Sequence, residues 1–411
     1  RGCGPQREFI GARSHGGRIS KYYAERGSAC AAACITGISM AMKGTGIVSG
    51  NGDEQRTLVV VFLRGGADGL TLAPPVGDQV YHDLRSNIAV SEGEVLKLGA
   101  ANCGLHPAMS GLHDVFKDGG LSVIPAVGSE DKTRSHFYAQ DLMEHGGSVA
   151  GGWLGRFLRY REGRQPTALS AVALGKKMPE VLRGAPAATV MESMDTFSLG
   201  KKGVSTAKFK AELAGLYGAE TSLLGPAARD TLQALDRVAQ LAKTSYSPEH
   251  GAEYSDDSFS NGLRQAAQLV RARVGLEAVS LDLDGWDSHF AQETLIAPMI
   301  TRLSEGLSTF YQDLGPLMRK VTVVVMTEFG RRVAENSSFG TDHGSGGLMM
   351  VMGGKERGLV GTMPKLDAGT LIGPGDVPVV TDYRSILIPE LKMHGVRETV
   401  GEIFPGFAQE K

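Results

Sequence analysis

The chain has 411 residues, of which 42% are hydrophobic and 21% are charged. These proportions are ordinary for a folded protein, and they exclude a largely disordered chain, a coiled coil and a multi-span membrane protein. The net charge of −2, from 43 basic and 45 acidic residues, gives no basic field that would favour nucleic acid as a partner. Glycine is the outlier, because its 56 residues are about twice the usual ~7%, and we expect many of them in tight loops.

The first fifty residues differ from the rest of the chain. Several basic residues precede an uncharged, apolar stretch at 29–42. A basic region followed by a short apolar core is typical of an export signal, and this stretch is too short to span a bilayer as a stable helix. Lys43 follows closely and Gln6-Arg7 replaces a clean twin arginine, so a packed N-terminal helix is the alternative. We therefore expect residues 1–50 to lie outside the catalytic fold. We also expect a periplasmic or secreted protein that is not an integral membrane protein, with a cytoplasmic location still open.

From residue 57 onward, short apolar runs alternate with helical periods. The apolar runs predict strands at 58–63, 121–127, 168–174, 278–283, 321–326 and 348–352. Helices are predicted from Pro107, over 135–145, and between the strands that end at 283 and begin at 321. Residues 206–273 carry two amphipathic stripes and predict a helical insertion at about 200–275. Fully apolar strands separated by amphipathic helices indicate an α/β domain over 51–411, with a mostly parallel central sheet and helices on both faces.

Polar residues follow the predicted strands at the places where a parallel sheet positions its chemistry, the carboxyl ends of the strands. Carboxylates and imidazoles are the ligands that Zn²⁺ or Mn²⁺ prefers, and Ca²⁺ or Mg²⁺ stay open as alternatives. Any one of these residues is more often an ordinary helix cap or loop hydrogen-bonding group. Their clustering at five strand ends nevertheless favours a shared site. The candidates are Asp68, Arg134, Ser135, His136, Asp287, His289, Glu328, Asp342 and His343.

In this order, the motifs RGGADG, RSHF, GGWLGRFL, GWDSH, TEFGR and TDHG resemble the bacterial family known as domain of unknown function 1501. Its members look like divergent relatives of the alkaline phosphatase and sulfatase superfamily, usually with Tat-type export signals. The resemblance covers about residues 56–405 and implies an alkaline-phosphatase-like fold.

The resemblance also implies a role for each strand-end loop. Ser135 sits where the nucleophile is expected, at the start of a helix whose N-terminus favours negative charge. Arg134 would clamp a phosphate or sulfate oxygen. The implied metal ligands are Asp68, Asp287, His289 and His343, with Asp342 beside the last.

Two departures from the superfamily pattern bear on the site. Glu328-Phe329 stands where the superfamily typically carries Asp-His. Phenylalanine cannot ligate a metal, so either Glu328 replaces the aspartate, with support from Asp342, or that ion is absent. In the pair Ser135-His136, His136 is open as nucleophile, base or ligand.

These residues lead to a ranked set of functions. The first is an exported, metal-dependent hydrolase of a phosphate or sulfate ester, on a small-molecule or polysaccharide substrate, with Ser135 as the attacking group. The second is a non-catalytic binding or assembly protein on a degenerate hydrolase fold, motivated by Glu328-Phe329. The third is a phosphoryl mutase or transferase whose acceptor site would be built by the helical insertion.

Overall fold

The computed structural model describes residues 55–163, 165–199, 206–358, 361–397 and 399–408. The predicted export segment at 1–50 lies outside these residues, as does the start of the predicted insertion at 200–205. Within the described part of the chain, no helix is both long enough and apolar enough to cross a membrane.

Ten strands are present among the described residues, and eight of them form one sheet. They are Thr57–Arg64 (β1), Leu96–Lys97 (β2), Gly104–Leu105 (β3), Leu121–Gly128 (β4), Ala171–Leu174 (β5), Thr189–Met191 (β6), Ala278–Asp284 (β7), Val321–Thr327 (β8), Gly347–Gly353 (β9) and Thr381–Asp382 (β10). The sheet order is β10-β4-β9-β8-β1-β7-β5-β6, while β2 and β3 pair separately. Strand β9 runs antiparallel to both of its neighbours, and the other neighbouring pairs of the large sheet are parallel.

The central strands are buried on both faces because their side chains alternate between two apolar layers. In β1, Val59, Val61 and Leu63 enter one core, whereas Val60 and Phe62 enter the other. Every residue of β8 and β9 is buried. The predicted α/β class, with a mostly parallel sheet covered on both faces, is therefore confirmed.

The described residues also form eleven α-helices. They are Gly69–Leu72 (α1), Gln79–Leu84 (α2), Ser110–Lys117 (α3), His136–His145 (α4), Trp153–Tyr160 (α5), Thr206–Gly218 (α6), Leu224–Lys243 (α7), Ser258–Arg271 (α8), Gln292–Leu314 (α9), Tyr383–Met393 (α10) and Val400–Ile403 (α11). Helices α3, α8 and α9 contribute to one core, and α5 and α10 contribute to the other.

Three helices occupy the segment that the sequence predicts as an insertion. Helices α6 and α7 contact each other, while α8 packs against α9 and β7 and buries Phe259 and Leu263. Its N-terminus is capped by Asp257, whose carboxylate accepts hydrogen bonds from two backbone N–H groups of the first turn. Helix α8 is thus part of the layer that covers the sheet.

The direction of β9 decides where its preceding loop lies. The carboxyl ends of β1, β7 and β8 share one edge of the sheet. Because β9 is antiparallel to β8, its amino end reaches that same edge. The loop at 341–346 therefore meets the loops that follow the parallel strands, although it comes before a strand in the sequence.

Candidate metal centre

Three side chains from separate elements converge at this edge of the sheet. His136 is the first residue of α4, Asp287 follows β7, and His343 precedes β9. One potential ligand atom from each of them lies within 4.8 Å of the others. Among the described residues, this is the cluster of histidine, cysteine and acidic side chains close enough to share a metal ion.

His136 is held from behind by Glu328. Its Nδ1 lies 2.8 Å from Oε1 of Glu328, and that oxygen also accepts from the backbone N–H of Gly65 and the side-chain amide of Gln140, both at 2.9 Å. An ionised carboxylate only accepts, so Nδ1 carries the proton and Nε2 presents a lone pair. That Nε2 is buried without a hydrogen-bond partner among the described residues, 3.4 Å from Oδ2 of Asp287.

His343 is oriented in the same way by a backbone group. Its Nδ1 lies 2.8 Å from the carbonyl oxygen of Arg134, so it donates there, and its Nε2 lies 3.4 Å from Oδ1 of Asp287. His289 adds a third imidazole, with Nε2 at 2.9 Å from Nε2 of His343 and 3.2 Å from Asp287 Oδ1. Its Nδ1 lies 3.5 Å from Asp342.

Asp287 is anchored by a buried cation. Nη2 of Arg331 lies 2.7 Å from Oδ1 of Asp287. The same guanidinium donates to the carbonyl oxygens of Gly65, Gly66 and Thr341, which fix its position. Asp287 is consequently tied to the loops after β1 and β8 and keeps Oδ2 facing His136.

The charges around the cluster shift its pKa values in different directions. The hydrogen bond with Glu328 raises the pKa of His136, whereas burial lowers the pKa of His343. Burial opposes ionisation of both carboxyls. Even so, the Arg331 guanidinium holds the pKa of Asp287 below its usual value, and the hydrogen bonds from His136 and Gln140 do the same for Glu328. Both carboxyls are therefore ionised at neutral pH.

Phe329, the residue that breaks the expected ligand pair, packs against both imidazoles. Its ring centroid lies 4.9 Å from that of His136 and 4.8 Å from that of His343. It is buried, as is Glu328 beside it. Glu328 thus orients His136, and Phe329 packs against both histidines without offering a ligand atom, so the alternative of a degenerate site stays open.

These features fit a divalent metal ion. In metal sites, the second nitrogen of a ligating histidine usually donates to a carboxylate or a carbonyl, and the acceptors here are Glu328 and the Arg134 carbonyl. The buried Nε2 of His136, with no partner, is an orphan that a cation would satisfy. Imidazole and carboxylate ligands together suit Zn²⁺ or Mn²⁺. His136, Asp287 and His343 would hold the ion, with His289 as an additional ligand.

Asp68, the expected first metal ligand, lies outside this cluster. It is fully buried and its Oδ2 is 2.5 Å from Nη1 of Arg85, while Nη2 of Arg85 donates to Oδ1 at 3.1 Å. Thr71 and Gln292 also donate to Oδ2. Burial opposes the negative charge, but Arg85 nevertheless holds the pKa of Asp68 below its usual value. Both oxygens are occupied, so this geometry gives Asp68 a structural role instead of the expected ligand role.

The three expected catalytic residues lie together at the start of α4. The Arg134 guanidinium is bound to the buried carboxylate of Asp376, with Nε and Nη2 at 2.9 and 2.6 Å from Oδ2. Its backbone adopts a positive φ of 55°, which directs its carbonyl to His343. Ser135 occupies the N-cap position of α4, and its side chain makes no capping hydrogen bond.

Of the remaining expected ligands, Glu328 contacts Nδ1 of His136 and Asp342 contacts Nδ1 of His289, and both lie outside the cluster of His136, Asp287 and His343. Asp342 also receives hydrogen bonds from Arg332 at 3.1 Å and Asn336 at 3.3 Å. The contacts of Glu328 are described above, and they leave it as the support of His136.

Sequence reasoning missed the residues that orient the site. Gln140 could have been found, because it lies four residues after His136 and so faces the same side of α4. Arg331 ends the TEFGR motif, and its charge next to several acidic loops was a usable signal. Arg85 and Asp376 gave no local signal, since their partners are distant in sequence.

Comparisons with known proteins place the chain in a family. The family model described as Protein of unknown function (DUF1501) matches residues 100–370, which is more than half of the chain. No curated protein sequence matches.

Several solved structures show a weaker likeness. Ps i-CgsB in complex with k-i-k-neocarrahexaose shares 11% identity over 86% of this chain and 74% of its own, with a TM-score of 0.38. The C-terminal periplasmic domain of EcEptC from Escherichia coli, in complex with Zn, shares 10% over 88% and 89%, also at 0.38. An alkaline phosphatase from the Antarctic bacterium TAB5 shares 7% over 74% and 94%, at 0.24. A likeness of this strength does not identify an activity.

Proposed function

This chain belongs to the DUF1501 family of proteins of unknown function, and from that premise we propose that it is a metal-dependent hydrolase of phosphate or sulfate esters. One observation carries the proposal. His136, Asp287 and His343 bring ligand atoms within 4.8 Å of one another, and each histidine has its Nδ1 engaged by an acceptor. Side chains oriented in this way are prepared for a cation before it binds.

In the proposed hydrolysis, the residues of the cluster and those around it have different roles. His136, Asp287 and His343 would hold the ion, with His289 beside them. A bound divalent ion would polarise the ester oxygens and neutralise negative charge. Ser135 stands at the N-terminus of the ten-residue helix α4, where the helix dipole favours an oxyanion. His136 fits a ligand role better than a nucleophile role, because Glu328 holds its Nδ1 and its Nε2 faces the carboxylate of Asp287 without a hydrogen-bond partner among the described residues.

In the proposed reaction, Oγ of Ser135 forms a bond to the phosphorus or sulfur atom, and the bond to the ester oxygen breaks. The hydroxyl proton passes to solvent, and the departing oxygen is protonated to give the alcohol. Water then attacks the ester on Ser135, which releases phosphate or sulfate and restores the hydroxyl. The net reaction consumes one water molecule.

The substrates would be small-molecule or polysaccharide esters outside the cytoplasm. The basic and apolar segment at 1–42 supports export to the periplasm or beyond. Fractionation of cells that express the full chain would check this part of the proposal. Recovery of the protein only in the cytoplasm would contradict it.

Metal binding and turnover are tested together with two variants. We expect the purified protein to hold about one equivalent of zinc or manganese, measured by elemental mass spectrometry, and His343→Ala to lose it. His113→Ala is the matched control, because His113 lies on α3 and contacts a carbonyl of the chain. Ser135→Ala should keep the metal and lose turnover in a screen of phosphate and sulfate esters. A protein that takes up no metal would exclude this function.

A further inference from the structure

A buried glutamine lies between two of the loops that carry the expected metal ligands. Gln292 is the first residue of α9 and is 1% exposed. Its Oε1 accepts hydrogen bonds from Oγ of Ser288 at 2.9 Å and from Oγ1 of Thr341 at 2.6 Å. Ser288 directly follows Asp287, and Thr341 lies two residues before His343. One side chain therefore joins the loop after β7 to the loop before β9.

The amide nitrogen of Gln292 is anchored to a buried ion pair. Nε2 donates to Oδ2 of Asp68 at 2.6 Å and to Oγ1 of Thr71 at 3.1 Å. Because an ionised carboxylate only accepts, Nε2 faces Asp68 and Oε1 faces the two hydroxyls. Asp68 is itself held by the buried guanidinium of Arg85. Both N–H donors and both lone pairs of the amide are thus used, which fixes its orientation.

A second route connects the same two loops through Arg331. Nη2 of Arg331 lies 2.7 Å from Oδ1 of Asp287, and Nη1 donates to the Thr341 carbonyl at 2.9 Å. The backbone N–H of Thr341 also donates to the Ser288 carbonyl at 3.1 Å. The resulting closed ring contains Asp287, Arg331, Thr341, Gln292 and Ser288. Because Ser288 is bonded covalently to Asp287, loss of the Gln292 contacts changes the support of that carboxylate.

The chemistry at position 292 is specific to an amide. Ser288, Thr341 and Gln292 are buried, so each hydrogen bond between them is stronger than in water, and a lost partner leaves the other group unsatisfied. The group at position 292 needs a donor on the side of Asp68, which only accepts. It needs an acceptor on the other side to pair both hydroxyl protons. A glutamine amide supplies both, whereas an apolar side chain of the same volume would leave the loops unlinked.

We propose that Gln292 is a positioning residue that sets the separation between Asp287 and His343 and so prepares them to share a metal ion. This inference rests on the proposed function, because it assumes that the cation binds at these side chains. Nε2 of His343 lies 3.4 Å from Oδ1 of Asp287, so a small relative shift of the two loops changes the site. Residues that orient metal ligands contribute about ten- to a hundredfold to affinity. Gln292 acts one contact further out, and about tenfold is expected.

Zinc affinity and the spectrum of bound cobalt measure this role without turnover. In Gln292→Met, which keeps the volume and removes the amide, the dissociation constant for Zn²⁺ should rise about tenfold in chelator competition. The d–d absorption bands of bound Co²⁺ should also change, because they report the arrangement of the ligands. Gln268→Met is the matched control. Gln268 is a buried glutamine of α8 that donates to the Leu241 carbonyl, and its replacement should leave both readouts unchanged.

Two smaller substitutions test the link between the loops. Ser288→Ala and Thr341→Val each remove one hydroxyl donor to Gln292, and each should raise the zinc dissociation constant about threefold. In a Gln292→Met background, the same changes should have less than about a twofold effect, because their partner is already gone. Full additivity would show that the hydroxyls act independently of Gln292 and would overturn the inference. If Gln292→Met does not fold, the two single variants still decide it, since unchanged zinc affinity in both would overturn it.

The outcomes separate the inference from the proposed function. An unchanged zinc dissociation constant and an unchanged Co²⁺ spectrum in Gln292→Met would overturn the positioning role and leave the metal centre intact. Equal losses of affinity in Gln292→Met and Gln268→Met would assign the effect to general destabilisation and overturn it as well. An unmodified protein that takes up no metal would instead remove the proposed function, and the inference with it.

Discussion

Two aspartates at neighbouring strand ends have opposite surroundings. Asp68, after β1, is fully buried and paired with Arg85, and two further side chains donate to it. Asp287, after β7, also contacts an arginine, but it is half exposed and its Oδ2 faces the lone pair of His136. The first carboxylate is saturated with donors, whereas the second keeps an oxygen for a cation.

The difference shows that position at a strand end does not by itself make a ligand. A carboxylate becomes available for a metal only if the surrounding donors leave an oxygen free. Around Asp68, the buried guanidinium of Arg85 supplies the whole countercharge. Around Asp287, Arg331 and the imidazoles of His289 and His343 lie next to Oδ1, and Nε2 of His136 lies next to Oδ2. From this comparison we expect a stability role for Asp68 and a metal-ligand role for Asp287, and substitutions at the two positions test those roles.

The largest effect is expected on stability at Asp68, whose two carboxylate oxygens both accept hydrogen bonds. Asp68→Asn leaves the fully buried Arg85 charge without its partner, so the free energy of unfolding should fall by about 3–5 kcal/mol. Urea denaturation measures this change. Asp83→Asn, at an exposed position of α2, should change stability by less than about 0.5 kcal/mol. Metal content of folded Asp68→Asn should equal that of the unmodified protein. Loss of metal without loss of stability would reverse the assignment.

Asp287→Asn should mainly reduce metal affinity, whereas Asp68→Asn should mainly reduce stability. Asp287→Asn removes a charged ligand atom, and the dissociation constant for Zn²⁺ should rise at least about 100-fold, which corresponds to about 2.7 kcal/mol. Competition with a chromophoric chelator measures the constant. In metal-free protein, the urea midpoint should fall less than in Asp68→Asn, because Asp287 is half exposed and Arg331 keeps three carbonyl acceptors. Unchanged zinc affinity would show that Asp287 serves only Arg331.

A histidine at the opposite edge of the sheet gives a contrast with His136. His394 contacts Thr322 at the amino end of β8, and its Nδ1 is buried without a partner among the described residues. Burial lowers the pKa of His394 to about 3. The unfolded chain, with a pKa of about 6.5, therefore binds a proton that the folded chain excludes, and stability falls as the pH drops below about 6.5.

The size of this acid effect follows from linkage. Between pH 6.5 and pH 5, the His394 contribution to the free energy of unfolding should decrease by about 2 kcal/mol. Denaturation at a series of pH values, on the protein and on His394→Gln, isolates the contribution as the difference between the two curves. Parallel curves over this range would mean that His394 keeps an ordinary pKa in the fold. Unlike His343→Ala, the His394 variant should keep its metal.

The smallest effect is expected at Glu328, which contacts the expected ligand His136 on its Nδ1 side. Glu328→Gln keeps an oxygen for the Nδ1–H of His136 but removes the negative charge, and zinc affinity should weaken about tenfold. The same chelator competition measures it. Glu335→Gln is a suitable control, because Glu335 accepts hydrogen bonds from exposed Ser86 and Asn87. An unchanged constant would indicate that Glu328 acts through packing alone.

The longer strands could be predicted from the sequence, because each of them carries its own apolar run, whereas the short strands β2, β3, β6 and β10 were not predicted. The continuous apolar run of β1 and the stripe of Ile296, Ile300 and Leu303 on α9 are buried as their spacing indicates. Strand ends were close to their predicted positions. The placement of Asp287 at this edge followed from the rule for carboxyl ends of parallel strands, whereas the placement of His343 there was expected only from the family motifs. The division into an export segment and a domain with an inserted helical region stays a prediction.

Only the tertiary structure shows which polar groups form hydrogen bonds and ion pairs with one another. Nothing within the RGGADG motif shows that Asp68 is taken by Arg85, or that the carboxylate holding Arg134 comes from Asp376, 242 residues later. The antiparallel course of β9, which brings His343 to the shared edge, is equally absent from its local pattern. Hydrophobic periodicity is a local property that the chain carries along its length. The availability of a lone pair depends on donors from distant segments, and only the folded chain brings those together.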